Sequence, residues 1–187
     1  GFMAEHIERF VPALPALSGF DVRFVRNPDW ELPNGLSVRS AAPCLADRFV
    51  LLMSDHLLDS RILTGLLAEP IADGEVILGV DSRVENHPTV DLDDVTRVRV
   101  EDGRIRDIGK GISDFNAFDT GVFLCTPAIF DALDESARHG DGSLSGGIRR
   151  LAAERDAGRV APARPPASTL RQPPCDPHPC DPEPEVP

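Results

Sequence analysis

Strand-length apolar runs recur along the first 160 residues of the chain. The two most continuous, Arg48–Met53 and Glu75–Val80, are typical of strands buried on both faces. Asp21–Val25 and Ala117–Cys125 are further predicted strands. Two more runs flank Asp102-Gly103, a pair that favours the tight turn of a β-hairpin. The predicted hairpin strands are Thr96–Glu101 and Arg104–Ile108.

Helical spacing of apolar residues predicts helices between these strands. The predicted helices are Ala4–Val11, Leu36–Leu45, Leu57–Ala68, Pro127–Ala137 and Ser145–Ala157. Buried strands that alternate with helices indicate an α/β fold with a mostly parallel central sheet. We expect Arg48–Met53 and Glu75–Val80 to lie in that sheet.

Residues 161–187 have a different composition, because they contain 10 of the 18 prolines. Such sequence buries too little apolar surface to offset chain entropy, so we expect a disordered Pro-rich tail. Cys175, His178 and Cys180 in this tail are either metal ligands or part of an unstructured segment. Their Cys-x4-Cys spacing with one histidine is a poor match to zinc sites.

The chain is acidic, with 31 Asp and Glu against 19 Lys and Arg and a net charge of −12. This balance argues against a protein that coats nucleic acid, since such binding depends on neutralising phosphates. We find no apolar run of the ~20 residues that cross a membrane, and no signal-peptide pattern at the start. The cysteines suggest no disulfide framework, so we expect a cytoplasmic protein.

Asp55 lies just beyond the apolar run Arg48–Met53. In open α/β sheets, ligands bind where the carboxyl ends of strands meet. An aspartate there suits Mg²⁺, which takes one or two carboxylates together with substrate phosphates. Alternatively, Asp55 only caps the next helix, a frequent use of aspartate after a strand. We interpret the neighbouring His56 as a supporting or packing residue.

Two glycine-containing segments are candidate anion sites. Asn34-Gly35 ends a turn-rich loop and begins a predicted helix, whose free N–H groups can hold a phosphate or the edge of a base. An ordinary Asn-Gly turn is the alternative. Lys110, the only lysine of the chain, lies between two glycines. It either reaches an anion as a point charge or stays a solvated loop residue.

The last candidate, Asp119-Thr120-Gly121, lies inside a predicted strand. A glycine at such a position marks either close approach of a ligand or backbone, or a β-bulge. Asp91, Asp93 and Asp94 are interpreted as a solvated turn before the hairpin. No motif of a covalent hydrolase is present in the sequence.

Taken in chain order, these segments resemble nucleotidyltransferases of the sugar-nucleotide pyrophosphorylase superfamily. Within it they resemble the inositol-1-phosphate cytidylyltransferases, with phosphocholine cytidylyltransferases as near relatives. The residues that carry the resemblance are Asn27-Pro-Asp-Trp-Glu, Asn34-Gly35-Leu-Ser37, Met53-Ser-Asp55-His56, Gly109-Lys110, Asn116-Ala-Phe-Asp119-Thr-Gly121-Val-Phe and Ser143-Leu-Ser-Gly-Gly147. The resemblance implies a domain over residues 1–160 with the three-layer fold of nucleotide-diphospho-sugar transferases, helices covering both sheet faces.

The implied reaction is attack of a phosphomonoester oxygen on the α-phosphate of CTP or another nucleoside triphosphate, with release of pyrophosphate. Such transfer needs in-line positioning and charge neutralisation more than a protein nucleophile. The acceptor is a phosphorylated alcohol or sugar such as inositol-1-phosphate, and a downstream membrane phosphatidyltransferase is the implied partner. By resemblance, Asp55 holds Mg²⁺ and also faces the nucleotide, together with Asn34, Gly35 and Ser37. Lys110 meets the acceptor phosphate and acts with Asp55 in catalysis. Asp119 and Thr120 line the acceptor pocket.

The family opens with a strand and a Gly-rich loop that cradles the triphosphate, and it continues to a further metal-binding aspartate. This sequence begins after the first feature and turns Pro-rich in place of the second, so it resembles the middle of the family's domain. Two other interpretations stay open. One is a catalytically impaired fragment or pseudoenzyme that binds only an acceptor or a partner. The other is an interaction module recognised through its Pro-rich tail.

Overall fold

A computed structural model of the chain describes residues 1–85, 91–155 and 157–162. The predicted Pro-rich tail from residue 163 onward, which includes Cys175, His178 and Cys180, lies outside these residues. The described α-helices are α1 (Ala4–Phe10), α2 (Gly35–Ser40), α3 (Ser60–Ala68), α4 (Ala128–Arg138) and α5 (Leu144–Arg155). The described strands are β1 (Phe49–Leu52), β2 (Val76–Asp81), β3 (Arg97–Glu101), β4 (Arg104–Gly109), β5 (Ala117–Cys125) and β6 (Gly158–Pro162).

The six described strands form one mixed sheet in the order β1-β5-β2-β6-β4-β3, with a further pairing between β5 and β3. Strands β2 and β6 are parallel, whereas the other described pairings are antiparallel. The α/β class is confirmed, and the mostly parallel sheet that we expected is corrected to a mixed one. A continuous apolar run indicates that a strand is covered, but it carries no information about strand direction.

Helices cover both faces of the sheet, which confirms the three layers. On one face, Leu78 and Phe123 belong to a core that includes residues of α2, α4 and α5. On the other face, Ile77 and Leu124 pack with Leu66 of α3. Neighbouring residues of a strand point to opposite faces, so β2 and β5 supply side chains to both cores.

The two most apolar runs differ in burial. Strand β2 is buried from Val76 to Val80, as predicted. Strand β1 lies at the edge of the described sheet, where Phe49, Val50 and Leu51 are half-buried and Leu52 is exposed. Its place in the sheet is confirmed, but its burial on both faces is not, because an edge strand lacks the second neighbour that would shield it.

Asp21–Val25 forms no strand, which corrects the prediction from its apolar pattern. Phe24 and Val25 are exposed, and the segment is tied to α1 through Arg26, which forms ion pairs with Glu5 and Glu8. A strand requires a neighbour that accepts and donates backbone hydrogen bonds. Among the described residues this segment has no such neighbour.

The predicted hairpin turn agrees with the structure, whereas the predicted start of one helix is corrected. Asp102 and Gly103 have φ values of 52° and 73°, the left-handed conformations that the hairpin turn requires. Helix α3 begins at Ser60, later than predicted, because the side chain of Asp59 accepts a hydrogen bond from the N–H of Arg61 and caps the helix. Strand β6 was not predicted, and it includes Ala161 and Pro162, which we had assigned to the tail.

Candidate active site

A cavity of about 630 Å³ opens at the edge of the sheet where β1 and β2 end. The register of the sheet explains what meets there, because Arg97 pairs with both Gly109 and Phe118 and so brings the end of β4 beside the start of β5. Most of the predicted site residues line this cavity, namely Asn34, Asp55, Lys110, Asp119 and Thr120. Gly35 and Ser37 do not line it.

Asp55 is an exposed carboxylate just beyond the end of β1. Its side chain is 84% exposed, and its Oδ1 lies 3.4 Å from Nδ1 of His56. The residue that caps α3 is Asp59. The alternative in which Asp55 only caps the next helix is therefore wrong, and its carboxylate is open to a cation in the cavity.

The chemistry of the cavity suits a metal that arrives with its substrate. Within the part of the chain that the structure describes, no group of three or more His, Cys, Asp or Glu side chains is placed to hold a metal ion. Mg²⁺ binds through one or two carboxylates, keeps water ligands and completes its shell with substrate phosphates. Asp55, whose exposed carboxylate stands at the cavity wall, fits that type of site.

Gly121 allows the backbone of β5 and the His56 ring to approach closely. Its φ is +73°, and a Cβ atom at this position would lie 2.6 Å from Nδ1 of His56. The N–H of Met53 donates to the carbonyl of Gly121 over 3.0 Å. These contacts join the segment that carries Asp55 to the strand that carries Asp119, and they agree with a packing role for His56.

Thr120 lies in an irregular part of β5 and bonds to the neighbouring strand β2 there. Its hydroxyl donates a hydrogen bond of 2.6 Å to the carbonyl of Gly79. The pairing of β2 with β5 passes from Leu78–Phe123 to Val80–Asp119, so β5 has extra residues opposite Gly79. The β-bulge that the sequence left open therefore lies in β5, as the Asp119-Thr120-Gly121 segment allowed. The bulge accompanies the turn of Asp119 and Thr120 toward the cavity.

Burial perturbs the carboxyl of Asp119. Removal from water raises its pKa to about 6, and this effect is partly offset by a hydrogen bond from the N–H of Gly121 and by the charge of His56. The bond from Gly121 to Oδ1 is 2.7 Å long. A carboxyl with this pKa changes charge near neutral pH, so it can accept or donate a hydrogen bond there.

Lys110 is ion-paired in the structure. Its Nζ lies 2.5 Å from Oδ1 of Asp94, and this hydrogen bond lowers the pKa of Asp94. Asp94 belongs to the turn that we predicted, in which the N–H of Asp93 donates to Oδ1 of Asp91. However, Asp91 and Asp94 line the cavity, so the turn forms part of its wall.

The residues assigned to the nucleotide also hold the protein together. Oδ1 of Asn34 accepts a hydrogen bond of 2.9 Å from the N–H of Leu144 at the start of α5. A Cβ at Gly35 would lie 2.4 Å from the carbonyl oxygen of Gly142. The hydroxyl of Ser37 accepts a bond of 3.0 Å from Asn27, whose side chain is buried. Contact of Gly35 and Ser37 with a nucleotide stays a prediction.

Sequence reasoning missed several residues of the cavity. Asp81 ends β2 and lines the cavity, where Arg83 forms an ion pair with it. The argument that selected Asp55, an acid at the carboxyl end of a buried strand, applies equally to Asp81 and was the signal that could have found it. Ile62 and Thr96 also line the cavity, and no local motif marks them. Ser145 lines it too and belongs to the Ser143–Gly147 segment of the resemblance, but it was given no role.

Comparisons with known proteins show what the chain is similar to in sequence and fold. No protein-family model matches the chain. The bifunctional IPC transferase and DIPP synthase of Rubrobacter xylanophilus is 35% identical over 119 residues, which cover 64% of this chain and 26% of that protein. The protein of the same name from Thermococcus kodakarensis is 30% identical over 144 residues, covering 74% and 31%. The structure of the inositol-1-phosphate CTP transferase from T. maritima matches with a TM-score of 0.61 and 28% identity, over 73% of this chain and 54% of that chain.

The chain is a relative of the inositol-1-phosphate cytidylyltransferases. The resemblance drawn from its motifs is confirmed, as is the nucleotide-diphospho-sugar transferase type of α/β fold. The chain spans between about a quarter and a third of the length of these curated relatives. Among the described residues, no helix combines the length and the apolar character that crossing a membrane requires.

Substitution of Gly35 by alanine should destabilise the fold. The added methyl group would overlap the backbone at Gly142 and Ser143, and overpacking of this kind costs about 1–3 kcal/mol. Gly65→Ala is the matched control, because a Cβ at Gly65 in α3 meets no atom within 4 Å. That variant should gain up to about 1 kcal/mol from helix propensity. Urea unfolding measures the free energy of unfolding of both variants. Equal changes in the two variants would contradict the close contact of Gly35 with the backbone at Gly142 and Ser143.

The stability of the fold should depend on the protonation of Asp119. Its pKa is raised from 3.8 to about 6 in the folded chain, so the folded state holds a proton that the unfolded state has lost. Stability from this group is therefore lost as pH rises from about 4 to 6, by roughly 2–3 kcal/mol at most.

Asp119→Asn removes this titration while keeping an oxygen that can accept from Gly121. The difference in unfolding free energy between this variant and the wild type should be small at pH 4 and should favour the variant increasingly up to pH 7. Denaturant unfolding at each pH measures the difference, in which the other acids cancel. A difference that does not change with pH would contradict the burial of this carboxyl.

Proposed function

We propose that this chain carries the acceptor-binding part of a cytidylyltransferase that moves CMP from CTP to inositol-1-phosphate and releases pyrophosphate. The observation that carries the proposal is the meeting of Asp55, Lys110 and Asp119 in one cavity. These residues are far apart in sequence and come together at the sheet edge of a relative of inositol-1-phosphate CTP transferase.

Lys110 supplies the positive charge for the acceptor phosphate. Its ammonium group stands at the cavity wall and is held by Asp94. A phosphate that enters the cavity exchanges places with the Asp94 carboxylate and gains a charge-assisted hydrogen bond. This contact fixes one end of the acceptor, so that a phosphate oxygen can be aligned with the α-phosphate of CTP.

Asp55 is the residue that would hold Mg²⁺. When bound, the ion neutralises charge on the nucleotide phosphates during phosphoryl transfer. Because one carboxylate cannot hold hydrated Mg²⁺ alone, we expect Asp55 to bind the ion only together with a nucleotide. The amide nitrogen of Asn34 has no hydrogen-bond partner among the described residues, and it lines the same cavity as a donor for the nucleotide.

The cavity favours a polyol as the body of the acceptor. One carboxyl oxygen of Asp119 accepts a hydrogen bond from the N–H of Gly121. The hydroxyl of Thr120 donates a hydrogen bond to the carbonyl of Gly79. The remaining carboxyl oxygen of Asp119 and the lone pairs of the Thr120 hydroxyl can therefore accept hydrogen bonds from alcohol groups. Phe118 is the single aromatic residue among the described residues of the lining, whereas choline groups are recognised by cages of several aromatic rings.

The proposal has two consequences in the cell. It places the reaction in the cytoplasm, which agrees with the free thiols of Cys44 and Cys125. It also implies a membrane phosphatidyltransferase that consumes the cytidylylated alcohol. The alternative, a pseudoenzyme that only binds the acceptor, predicts inositol-1-phosphate binding without pyrophosphate release.

Asp55→Asn should abolish CMP transfer while leaving the fold intact. The assay follows pyrophosphate release from CTP, Mg²⁺ and inositol-1-phosphate, and we expect the rate to fall about 100-fold or more, since charge neutralisation by a metal is worth several kcal/mol. Asp47→Asn is the matched control, because Asp47 is an exposed acid just before β1, at the opposite end of the same strand. Retained turnover in Asp55→Asn would remove Asp55 from the mechanism.

Lys110→Ala should weaken use of the acceptor. Loss of a charge-assisted contact of about 1.5–3 kcal/mol corresponds to a change of roughly 10- to 150-fold. We expect a higher KM for inositol-1-phosphate, a lower kcat, or both, with little change in the KM for CTP. Lys110→Arg should rescue only partly, because a planar guanidinium does not replace a compact ammonium.

The acceptor is identified by running the Lys110 series with inositol-1-phosphate, phosphocholine and glucose-1-phosphate. The defect should be largest with the acceptor that the wild type uses best. Unchanged acceptor kinetics in Lys110→Ala would mean that this lysine does not contact the acceptor. Binding of inositol-1-phosphate by a wild type that releases no pyrophosphate would favour the pseudoenzyme.

A further inference from the structure

The loop that carries Lys110 is held from two sides by arginines outside the cavity lining. On the side that precedes Lys110, Nη2 of Arg149 in α5 donates a hydrogen bond of 2.5 Å to the carbonyl of Ile108, and its Nε bonds Asp107 over 3.0 Å. On the side that follows, Nη1 of Arg97 donates to the carbonyl of Ile112 over 3.1 Å. Lys110 lies between these two anchored carbonyls.

Arg97 also holds the segment that carries the partner of Lys110. Its Nη2 donates a hydrogen bond of 2.8 Å to the carbonyl of Leu92, in the turn that contains Asp94. The same guanidinium therefore bridges the two segments that the Lys110–Asp94 ion pair joins at the cavity. One rigid group thus fixes the spacing of the two charges.

The environment of Arg97 leaves its guanidinium little freedom. The group lies over the ring of Phe115, 5.1 Å from the ring centre, in a cation–π contact. Its Nε is buried and has no hydrogen-bond partner in the described chain. An unsatisfied buried donor costs stability and contributes no orienting bond. The orientation of the guanidinium is therefore set by its bonds to the two loop carbonyls and by the ring contact.

We propose that Arg97 is a positioning residue for acceptor binding, which sets the place of the Lys110 ammonium by bridging the carbonyls of Leu92 and Ile112. The acceptor part of this inference rests on the proposed function, whereas the placement of Lys110 does not. Arg99 on the same strand provides the contrast, because it pairs with the side chains of Glu101 and Asp114 and bridges neither loop carbonyl.

The first test uses the fact that Lys110 is the only lysine of the chain. Reductive methylation with ¹³C-formaldehyde places one lysine signal in the NMR spectrum, distinct from that of the terminal amine. Asp94→Asn gives the reference position of a lysine without its carboxylate partner. We expect Arg97→Met to move the signal most of the way to this reference and Arg99→Met to leave it at the wild-type position. A wild-type signal in Arg97→Met would overturn the proposal.

The second test is kinetic and uses pyrophosphate release. Arg97→Met should raise the KM for inositol-1-phosphate about fivefold to tenfold, while the KM for CTP changes less than twofold. In a Lys110→Ala background the same substitution should add less than twofold, because residues that act through one another are not additive. Full additivity, or an equal rise in both KM values, would mean a general structural role and would overturn the proposal.

Arg97→Lys covers the case in which the methionine variant does not fold. A single ammonium can reach one of the two carbonyls but not both, so we expect a KM for inositol-1-phosphate between those of the wild type and Lys110→Ala. A wild-type KM in Arg97→Lys would overturn the need for the bridge. If the wild type transfers no CMP, the proposed function fails, and the lysine signal still decides whether Arg97 positions Lys110.

Discussion

The hydrogen-bonded pairing of β5 is the constraint on which the rest of the structure depends. This strand pairs with β1, β2 and β3, and its side chains from Val122 to Cys125 enter the cores on both faces. Asp119 and Thr120 lie between this stretch and the buried residues Ala117 and Phe118, where the sheet borders the cavity. The core thus holds β5 on both sides of these two residues, which present polar groups to the cavity. Asp119 and Thr120 therefore keep their geometry without depending on flexible loops, whereas Asp55, Asp94 and Lys110 lie in connecting segments.

The sequence predicted those parts of the fold that local physics determines. The bounds of β5, the hairpin turn at Asp102-Gly103 and the buried run of β2 follow from alternation, turn chemistry and continuous apolar character. Strand β6 could not be predicted in this way, because Gly158–Pro162 contains glycine, arginine and proline. It becomes a strand because it lies parallel to β2, a tertiary effect that no local pattern records. Conversely, Asp21–Val25 is not a strand because no described strand lies beside it to pair with.

The candidate site likewise contains residues that local sequence could identify and contacts that only the tertiary structure shows. Asp55 could be found because an acid beyond a buried strand has a definite place in an α/β fold, and the resemblance brought in Lys110 and Asp119. The partnership of Lys110 with Asp94 could not be found, since the two residues belong to different segments that only the register of β3, β4 and β5 brings together. The bracing of both segments by Arg97 is likewise visible only in three dimensions.

The charges of the cavity show how a phosphate could enter an acidic site. Six aspartates are among its described lining residues, Asp55, Asp59, Asp81, Asp91, Asp94 and Asp119, whereas Lys110 is the single lysine or arginine among them. An ammonium in such surroundings is already paired, so an anion gains only the difference between two ion pairs. A phosphomonoester carries nearly two charges at neutral pH and offers three acceptor oxygens, which allows it to displace a single carboxylate. An anion with one charge gains nothing by the exchange. Under the proposed function, the pairing of Lys110 with Asp94 therefore selects for a dianionic phosphate, because singly charged anions do not displace Asp94 from Lys110.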